Sequence, residues 1–196
     1  MSRFFDRGAI VAAYVGIGMA VTMAISFLLV IPIEPAYVLL SIPGGLIIGY
    51  YANARSNRTR AEWRHILPNA VLVGAVTGLT LAGFVLGTKA LFFFGDSGYP
   101  DFNRRDAATG VILAPTCISG GDCVYHRYLA AQPGHLADAG ITDSASFATV
   151  YWEQQWSSAR LLLGTTTGSA LIGGFLFGIA GPRRPQLAPR RAAVPA

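Results

Sequence analysis

Four stretches without a charged side chain, of 23, 17, 22 and 20 residues, alternate with polar segments along the chain. About 20 apolar residues suffice for an α-helix to cross the hydrocarbon core of a bilayer. The pattern therefore predicts an all-α integral membrane protein with four transmembrane helices. We expect these helices to span about residues 9–31, 36–52, 67–92 and 160–181.

The connection between the second and third apolar stretches carries a strong orientation signal. It contains one acidic residue and four arginines: Arg55, Arg58, Arg60 and Arg64. Short loops rich in arginine and lysine stay on the cytoplasmic side of a membrane. We therefore expect this loop, both termini and the arginine pair after the last span to be cytoplasmic. That pair is Arg183 and Arg184.

The charge balance of the two sides agrees with this orientation. The side predicted to be cytoplasmic holds ten arginines and two acidic residues, a net charge of +8. The other side holds five basic and eight acidic residues, a net charge of −3. The basic composition therefore indicates membrane orientation, and we expect no nucleic-acid partner. Arginine supplies fourteen of the fifteen basic residues, a bias common in GC-rich bacteria, which favours a bacterial cytoplasmic (inner) membrane.

The sequence gives no sign of a second domain. We expect residues 1–196 to make one four-span membrane domain, with residues 95–158 as a single large extracytoplasmic loop. The tail, residues 182–196, contains four prolines and four arginines among fifteen residues. We expect it to be disordered and to lie against anionic lipids of the inner leaflet, with on the order of 1 kcal/mol of attraction per arginine.

Glycines repeat at four-residue spacing in three of the predicted helices, which places each pair on one face and allows close packing in lipid. In the third helix the two pairs are five residues apart, a turn of about 140°, so they occupy different faces. We expect one patch of a helix to serve the chain's own bundle and the other, marked by Gly83 and Gly178, to contact a neighbour. The pairs are Gly45/Gly49, Gly74/Gly78, Gly83/Gly87, Gly164/Gly168 and Gly174/Gly178.

Two cysteines, Cys117 and Cys123, flank a flexible Ser-Gly-Gly turn in the predicted outer loop. On an oxidising face such a pair is usually a structural disulfide, which stabilises so short a loop by roughly 2 kcal/mol in the chain-entropy model. A redox role is an alternative, although redox sites favour the tighter C-x-x-C spacing. A metal site is a third interpretation, because His126 and His135 lie nearby in the sequence.

Two features keep a small channel or transporter open as a further alternative. Pro43-Gly44-Gly45 predicts a kink or a locally unwound turn in the second helix, and interrupted helices sometimes line substrate sites. The fourth helix carries a hydroxyl cluster of Thr165, Thr166, Thr167 and Ser169. Apart from Arg160 at the edge of the last span, the four spans contain no Asp, Glu, His or Arg, whereas ion-coupled transport usually needs such a residue at mid-depth. We therefore expect these hydroxyls to bond to their own backbone or to bridge helices.

No nucleotide-binding, hydrolase or zinc-peptidase signature occurs in the chain, and we expect no cofactor and no metal. The favoured hypothesis is a non-catalytic accessory subunit or scaffold. It would form a homo-oligomer or join other membrane subunits through its glycine faces and its large loop. An extracytoplasmic thiol-disulfide redox protein is the first alternative, and a small channel or transporter is the second.

Overall fold

Six α-helices make up the described part of the computed structural model, which covers residues 5–26, 34–95, 108–109 and 117–183. No strand occurs within these ranges, so the all-α prediction is confirmed there. The helices are α1 Arg7–Ile25, α2 Glu34–Arg55, α3 Trp63–Gly95, α4 Gly121–Ala131, α5 Pro133–Asp138 and α6 Ser144–Ala180. The tail beyond residue 183 and most of the segment between α3 and α4 lie outside the described residues.

Three of these helices, α1, α3 and α6, are long and apolar enough to cross a membrane, with mean hydropathies of 2.0, 2.1 and 1.5 in their apolar windows. They correspond to the first, third and fourth predicted spans. Helix α2 is not among them. The fourth span and the orientation therefore stay predictions. Helix α2 is helical through Pro43, so the unwound turn expected there is not observed.

Helix α6 begins well before its apolar portion. Asp143 caps it, since its Oδ1 accepts the backbone N–H of Ser146 at 2.7 Å and its own N–H donates to the Ser146 hydroxyl at 3.3 Å. This reciprocal pair satisfies donors that a helix start would otherwise leave free. The helix runs for 37 residues, so it continues without a break from this polar start into its apolar portion.

Helices α1 and α6 pack on opposite sides of the α2–α3 pair. A stripe of small residues on α1 is buried against that pair: Ala9, Ala12, Gly16, Ala20 and Ala24. At Gly16 the hydroxyl of Thr77 on α3 occupies the space that a Cβ would need. The four-residue spacing of small side chains therefore sets how closely α1 approaches its neighbours.

Glycines make the closest contacts between α6 and the two middle helices. Gly45 and Gly49 of α2 lie against residues 163–170 of α6, and a Cβ at either position would overlap atoms there. Gly74 and Gly78 of α3 pack against the same stretch. These two glycine pairs thus serve the chain's own bundle.

The glycines of the last helix are arranged differently from the expectation. Gly174 lies against Ala70 of α3, and a Cβ at Gly178 would overlap the ring of Trp63. The expectation that Gly178 is available to a neighbour is therefore wrong, because the start of α3 folds over it. Among the glycines of the predicted pairs, four have no described atom within 4 Å of a Cβ position, apart from the backbone of their own helical turn: Gly83, Gly87, Gly164 and Gly168.

The end of the bundle that holds the C-terminus of α3 carries a cap, which we define as α4, α5 and residues 144–158 of α6. Its core is largely aromatic, and Phe93 of α3 packs with Tyr151 at a ring-centroid distance of 4.8 Å. The remaining members of this core are Val124, Tyr125, Leu136, Ile141 and Phe147. The cap is thereby fixed to the bundle through the last turn of α3.

Candidate functional site

Five polar side chains converge at the end of the bundle opposite the cap, and we call them the polar clasp. They are Asp6, Asn53, Arg58, Glu62 and Asn69. Asp6 precedes α1, Asn53 lies near the end of α2, and Asn69 lies near the start of α3. The α2–α3 connection supplies the other two. The clasp therefore joins segments that lie up to 63 positions apart in the sequence.

Arg58 forms the centre of the ionic part of the clasp. Its Nε donates to Oδ2 of Asp6 at 2.7 Å, and its Nη2 donates to Oδ1 of the same carboxylate. Its Nη1 donates to Oε2 of Glu62 at 2.9 Å. These side chains are between 18% and 24% exposed. Because guanidinium presents several donors in a fixed plane, one arginine holds the start of α1 to the α2–α3 connection.

Two fully buried asparagines extend the clasp into the bundle. Asn69 Nδ2 donates to Asp6 Oδ2 at 2.7 Å and to Asn53 Oδ1 at 3.4 Å, and its Oδ1 accepts the backbone N–H of Asp6 at 3.2 Å. Asn53 Nδ2 donates to the carbonyls of Gly49 and Ile66 at 3.1 and 3.2 Å. An unpartnered buried polar group costs about 1–3 kcal/mol, so this complete set of bonds favours one arrangement of α2 and α3.

The α2–α3 connection also bonds to the end of α6. The N–H of Arg60 donates to the carbonyl of Pro182 at 3.0 Å, and the N–H of Ala61 donates to that of Gly178 at 3.1 Å. Asn57 and Ala61 have φ angles of 53° and 69°, a left-handed conformation that costs a non-glycine residue roughly 1–2 kcal/mol. These two bends reverse the chain within a short connection, whose backbone is thereby bonded to the end of α6.

The ion pair fixes the charge state of the clasp. Hydrogen bonds from the Arg58 guanidinium hold the pKa of Asp6 below its ordinary value, burial opposes this, and the amide of Asn69 and the charges of Arg58 and His65 add to the lowering. The hydrogen bond to Asp6 likewise raises the pKa of Arg58, again against burial. Asp6 and Arg58 are therefore both charged at neutral pH.

Arg58 differs from the other arginines that indicate orientation, because its guanidinium is bound within the chain. The others that the structure describes are exposed at the same end: Arg55, Arg60, Arg64 and Arg183. Arg184 lies outside the described residues. The exposed arginines concentrate positive charge at the clasp end, as an orientation signal requires.

Four clasp residues were not identified as site residues from the sequence: Asp6, Asn53, Glu62 and Asn69. A signal was present, because two mostly apolar helices each carry an asparagine near the same end of the bundle. A buried amide in such a position needs a hydrogen-bond partner. The partner cannot be predicted from the sequence, because Asp6 and Asn69 come together only in the folded chain.

The hydroxyl cluster of α6 takes part in helix contacts. Thr166 Oγ1 donates to a carbonyl of its own helix at 2.7 Å. Ser169 Oγ donates to the carbonyl of Thr166 at 3.1 Å and lies 3.4 Å from that of Ser41 on α2. The hydroxyls of Ser41 and Thr165 are 2.8 Å apart and bridge the two helices. Thr167 Oγ1 is buried without a hydrogen-bond partner among the described residues.

Cys117 and Cys123 form a disulfide at the start of the cap, with their Cα atoms 5.5 Å apart. The predicted bond is therefore present. His126 and His135 are both exposed. Within the ranges that the structure describes, no three His, Cys, Asp or Glu side chains are grouped so that they could hold a metal ion.

Comparisons with known protein families, curated proteins and solved structures find no match for this chain. Its class is defined by its fold, an all-helical chain with three helices long and apolar enough to cross a membrane. Function is therefore inferred from the packing of the helices and the distribution of charge.

Proposed function

We propose that this chain is a four-span, non-catalytic scaffold or accessory subunit of a bacterial inner membrane, and that it assembles through outward glycine faces. The observation that carries the proposal is the division of the glycines into two groups. One group fills the contacts of the bundle, and the other faces away from it. On α3 and α6 the outward group consists of Gly83 and Gly87 and of Gly164 and Gly168.

The outward glycines lower the stability of their helices, and the packing within the chain does not explain why glycine stands there. Glycine in a helix interior is about 0.8–1.0 kcal/mol less favourable than alanine. At these four positions a Cβ would meet no described atom within 4 Å. In lipid, where no hydrophobic effect drives helices together, small residues at four-residue spacing let two backbones approach closely. Two such faces on different helices favour contact with further subunits.

We assign α2 as the fourth span from its position in the bundle. Its 22 residues extend about 33 Å, which matches a hydrocarbon thickness of about 30 Å. It packs along α6 and against α1 and α3, so it crosses wherever they cross. The clasp end then holds the exposed arginines, and the positive-inside rule assigns that end to the cytoplasm.

Cysteine labelling tests this orientation. We expect Ala61→Cys, in the α2–α3 connection, to be shielded from a membrane-impermeant thiol reagent in intact cells, and Ala145→Cys, in the cap, to react. Both alanines are exposed, and Ala61 already holds a Cβ at a φ of 69°. The native cysteines form a disulfide and do not compete for the reagent. Labelling of Ala61→Cys before the membrane is opened contradicts the orientation.

Size measurement of the purified chain in mild detergent tests assembly. We expect the wild type to be larger than a monomer and the double variant Gly83→Leu/Gly164→Leu to associate at least tenfold more weakly, a change of about 1.4 kcal/mol. A Cβ at either position meets no described atom within 4 Å outside its own helical turn, so the leucines extend from outward positions. They hold neighbouring helices apart, which removes the close packing that drives association in lipid.

A matched control adds bulk to the outward side of the same two helices, away from the glycine pairs. Val71 on α3 and Ala180 on α6 are both exposed. We expect Val71→Leu/Ala180→Leu to retain the wild-type size. A wild-type protein that is a monodisperse monomer and captures no membrane subunit contradicts the scaffold proposal, and so does equal dissociation in both double variants.

A further inference from the structure

A groove of about 320 Å³ lies between the start of α1 and the end of α2, beside the clasp. Its lining includes Arg7 and Val11 from α1 and Arg55, Ser56 and Asn57 from the end of α2 and the turn after it. Arg7, Arg55 and Asn57 are exposed. The groove is therefore open, with one cationic side chain on each of the two helices that form it.

The groove carries a net positive charge. Asp6 also lines it, but the carboxylate of Asp6 is bound by Arg58, which does not line it. Within the described residues no hydrogen bond or ion pair engages the side chain of Arg7 or Arg55. Two guanidinium groups are thus available to an anion.

The backbone fixes the walls of this groove. Gly8 lies so close to the end of α2 that a Cβ there would overlap the carbonyl of Arg55. The side chain of Asp6 is turned towards Arg58 and does not cap α1. The partial positive charge of the start of α1 therefore adds to that of the two arginines.

The outer face of α1 continues the groove as an apolar surface. Val11 and Val15 follow Arg7 at four-residue spacing, which places the three on one face of the helix. Both valines are 42% exposed, and Gly18 beyond them has no described atom within 4 Å of a Cβ position. A cationic pocket that continues into an apolar helix face is complementary to a phospholipid, which has an anionic headgroup and apolar acyl chains.

We propose that the groove binds the phosphate headgroup of an acidic phospholipid, with one acyl chain along α1. Arginine is suited to phosphate because its donors bond two oxygens at once. The site lies in the cytoplasmic leaflet if the orientation under the proposed function holds, and the inference rests on that orientation. The exposed amide of Asn57 supplies a further polar contact for the headgroup.

Native mass spectrometry of the full chain, released from detergent that contains either phosphatidylglycerol or phosphatidylcholine, tests the site. We expect the wild type to retain one phosphatidylglycerol and no phosphatidylcholine. Arg7→Gln/Arg55→Gln should bind phosphatidylglycerol about thirtyfold more weakly, from the attraction of two arginines to an anionic headgroup. Arg60→Gln/Arg64→Gln removes the same charge from exposed positions outside the groove and should retain the lipid.

Three outcomes overturn the proposal. Equal losses in the two double variants would show a diffuse surface charge in place of a site. Equal retention of the two lipids by the wild type excludes headgroup recognition, a result that holds even where a variant does not fold. Displacement of phosphatidylglycerol by inorganic phosphate would identify a small-anion site. The glycine variants keep all arginines and test only assembly. The labelling of Ala61→Cys tests only orientation. A failure of the lipid site is therefore distinguishable from a failure of the proposed function.

Discussion

One added methyl group at Gly49 is expected to destabilise the bundle by about 3 kcal/mol, at the upper end of the usual overpacking penalty. In Gly49→Ala the new Cβ would overlap the backbone carbonyl and Cα of Ala170 on α6. Backbone atoms cannot rotate aside as a side chain can, so α2 and α6 must separate. Unfolding in detergent, followed by helical circular dichroism against added sodium dodecyl sulfate, measures the loss.

The same substitution at Gly83 provides the matched control. Gly83 is exposed, and no described atom lies within 4 Å of the position of its Cβ. Since alanine favours a helix over glycine by about 1 kcal/mol, Gly83→Ala should leave the stability unchanged or raise it slightly. Equal destabilisation by the two variants would contradict the division of glycines into inward and outward groups.

Hydropathy identified α1, α3 and α6 from the sequence, because each is apolar over a membrane-length window. The lack of charge in residues 36–52 also predicted a span at α2, but α2 is not among the three candidate spans. Its packing face includes glycines and the buried polar residues Ser41 and Asn53.

Helical spacing separated the glycines of α3 into two faces, but spacing alone does not determine which face is inward. That choice depends on the neighbouring helix. In α6 the inward assignment of Gly178 follows from Trp63, whose ring lies over it. Trp63 reaches that position because the α2–α3 connection bonds to the end of α6, a contact between segments more than 100 residues apart. No local pattern encodes such a contact.

The clasp shows the same limit for charged residues. Arg58 is indistinguishable in the sequence from the three other arginines of its loop. Its role follows from Asp6, which lies 52 positions away. An exposed arginine and a paired one contribute equally to a count of charges, so the orientation signal was visible and the ion pair was not.

Loss of the negative charge at Asp6 is expected to lower the stability by about 2 kcal/mol, because a partly buried guanidinium loses one of its two carboxylate partners. Asp6→Asn keeps the size of the side chain and an oxygen acceptor, so the effect reports on charge. Asp138→Asn makes the same change at an exposed position at the end of α5 and should alter the stability by less than about 0.5 kcal/mol.

The contribution of Asp6 should also depend on pH in a defined direction. Hydrogen bonds from Arg58 hold its pKa in the folded chain below the ordinary value, which is about 4. Because the pKa is lower in the folded chain, the unfolded chain takes up the proton first as the pH falls. The stabilisation from Asp6 is therefore complete above the ordinary pKa of about 4 and is lost as the pH falls through the lowered pKa. Arg58 is the positive group that binds Asp6, and Glu62 binds the same guanidinium.

The difference in unfolding free energy between the wild type and Asp6→Asn isolates this contribution, because other carboxylates, including the capping Asp143 with its own lowered pKa, titrate in both proteins. We expect the difference to be constant from pH 7 to about 5 and to shrink below about 4. Unfolding of both proteins in detergent between pH 3 and pH 7 measures this difference in free energy. A difference that is as large at pH 3 as at pH 7, or that grows as the pH falls, would show that the charge of Asp6 does not stabilise the clasp through Arg58.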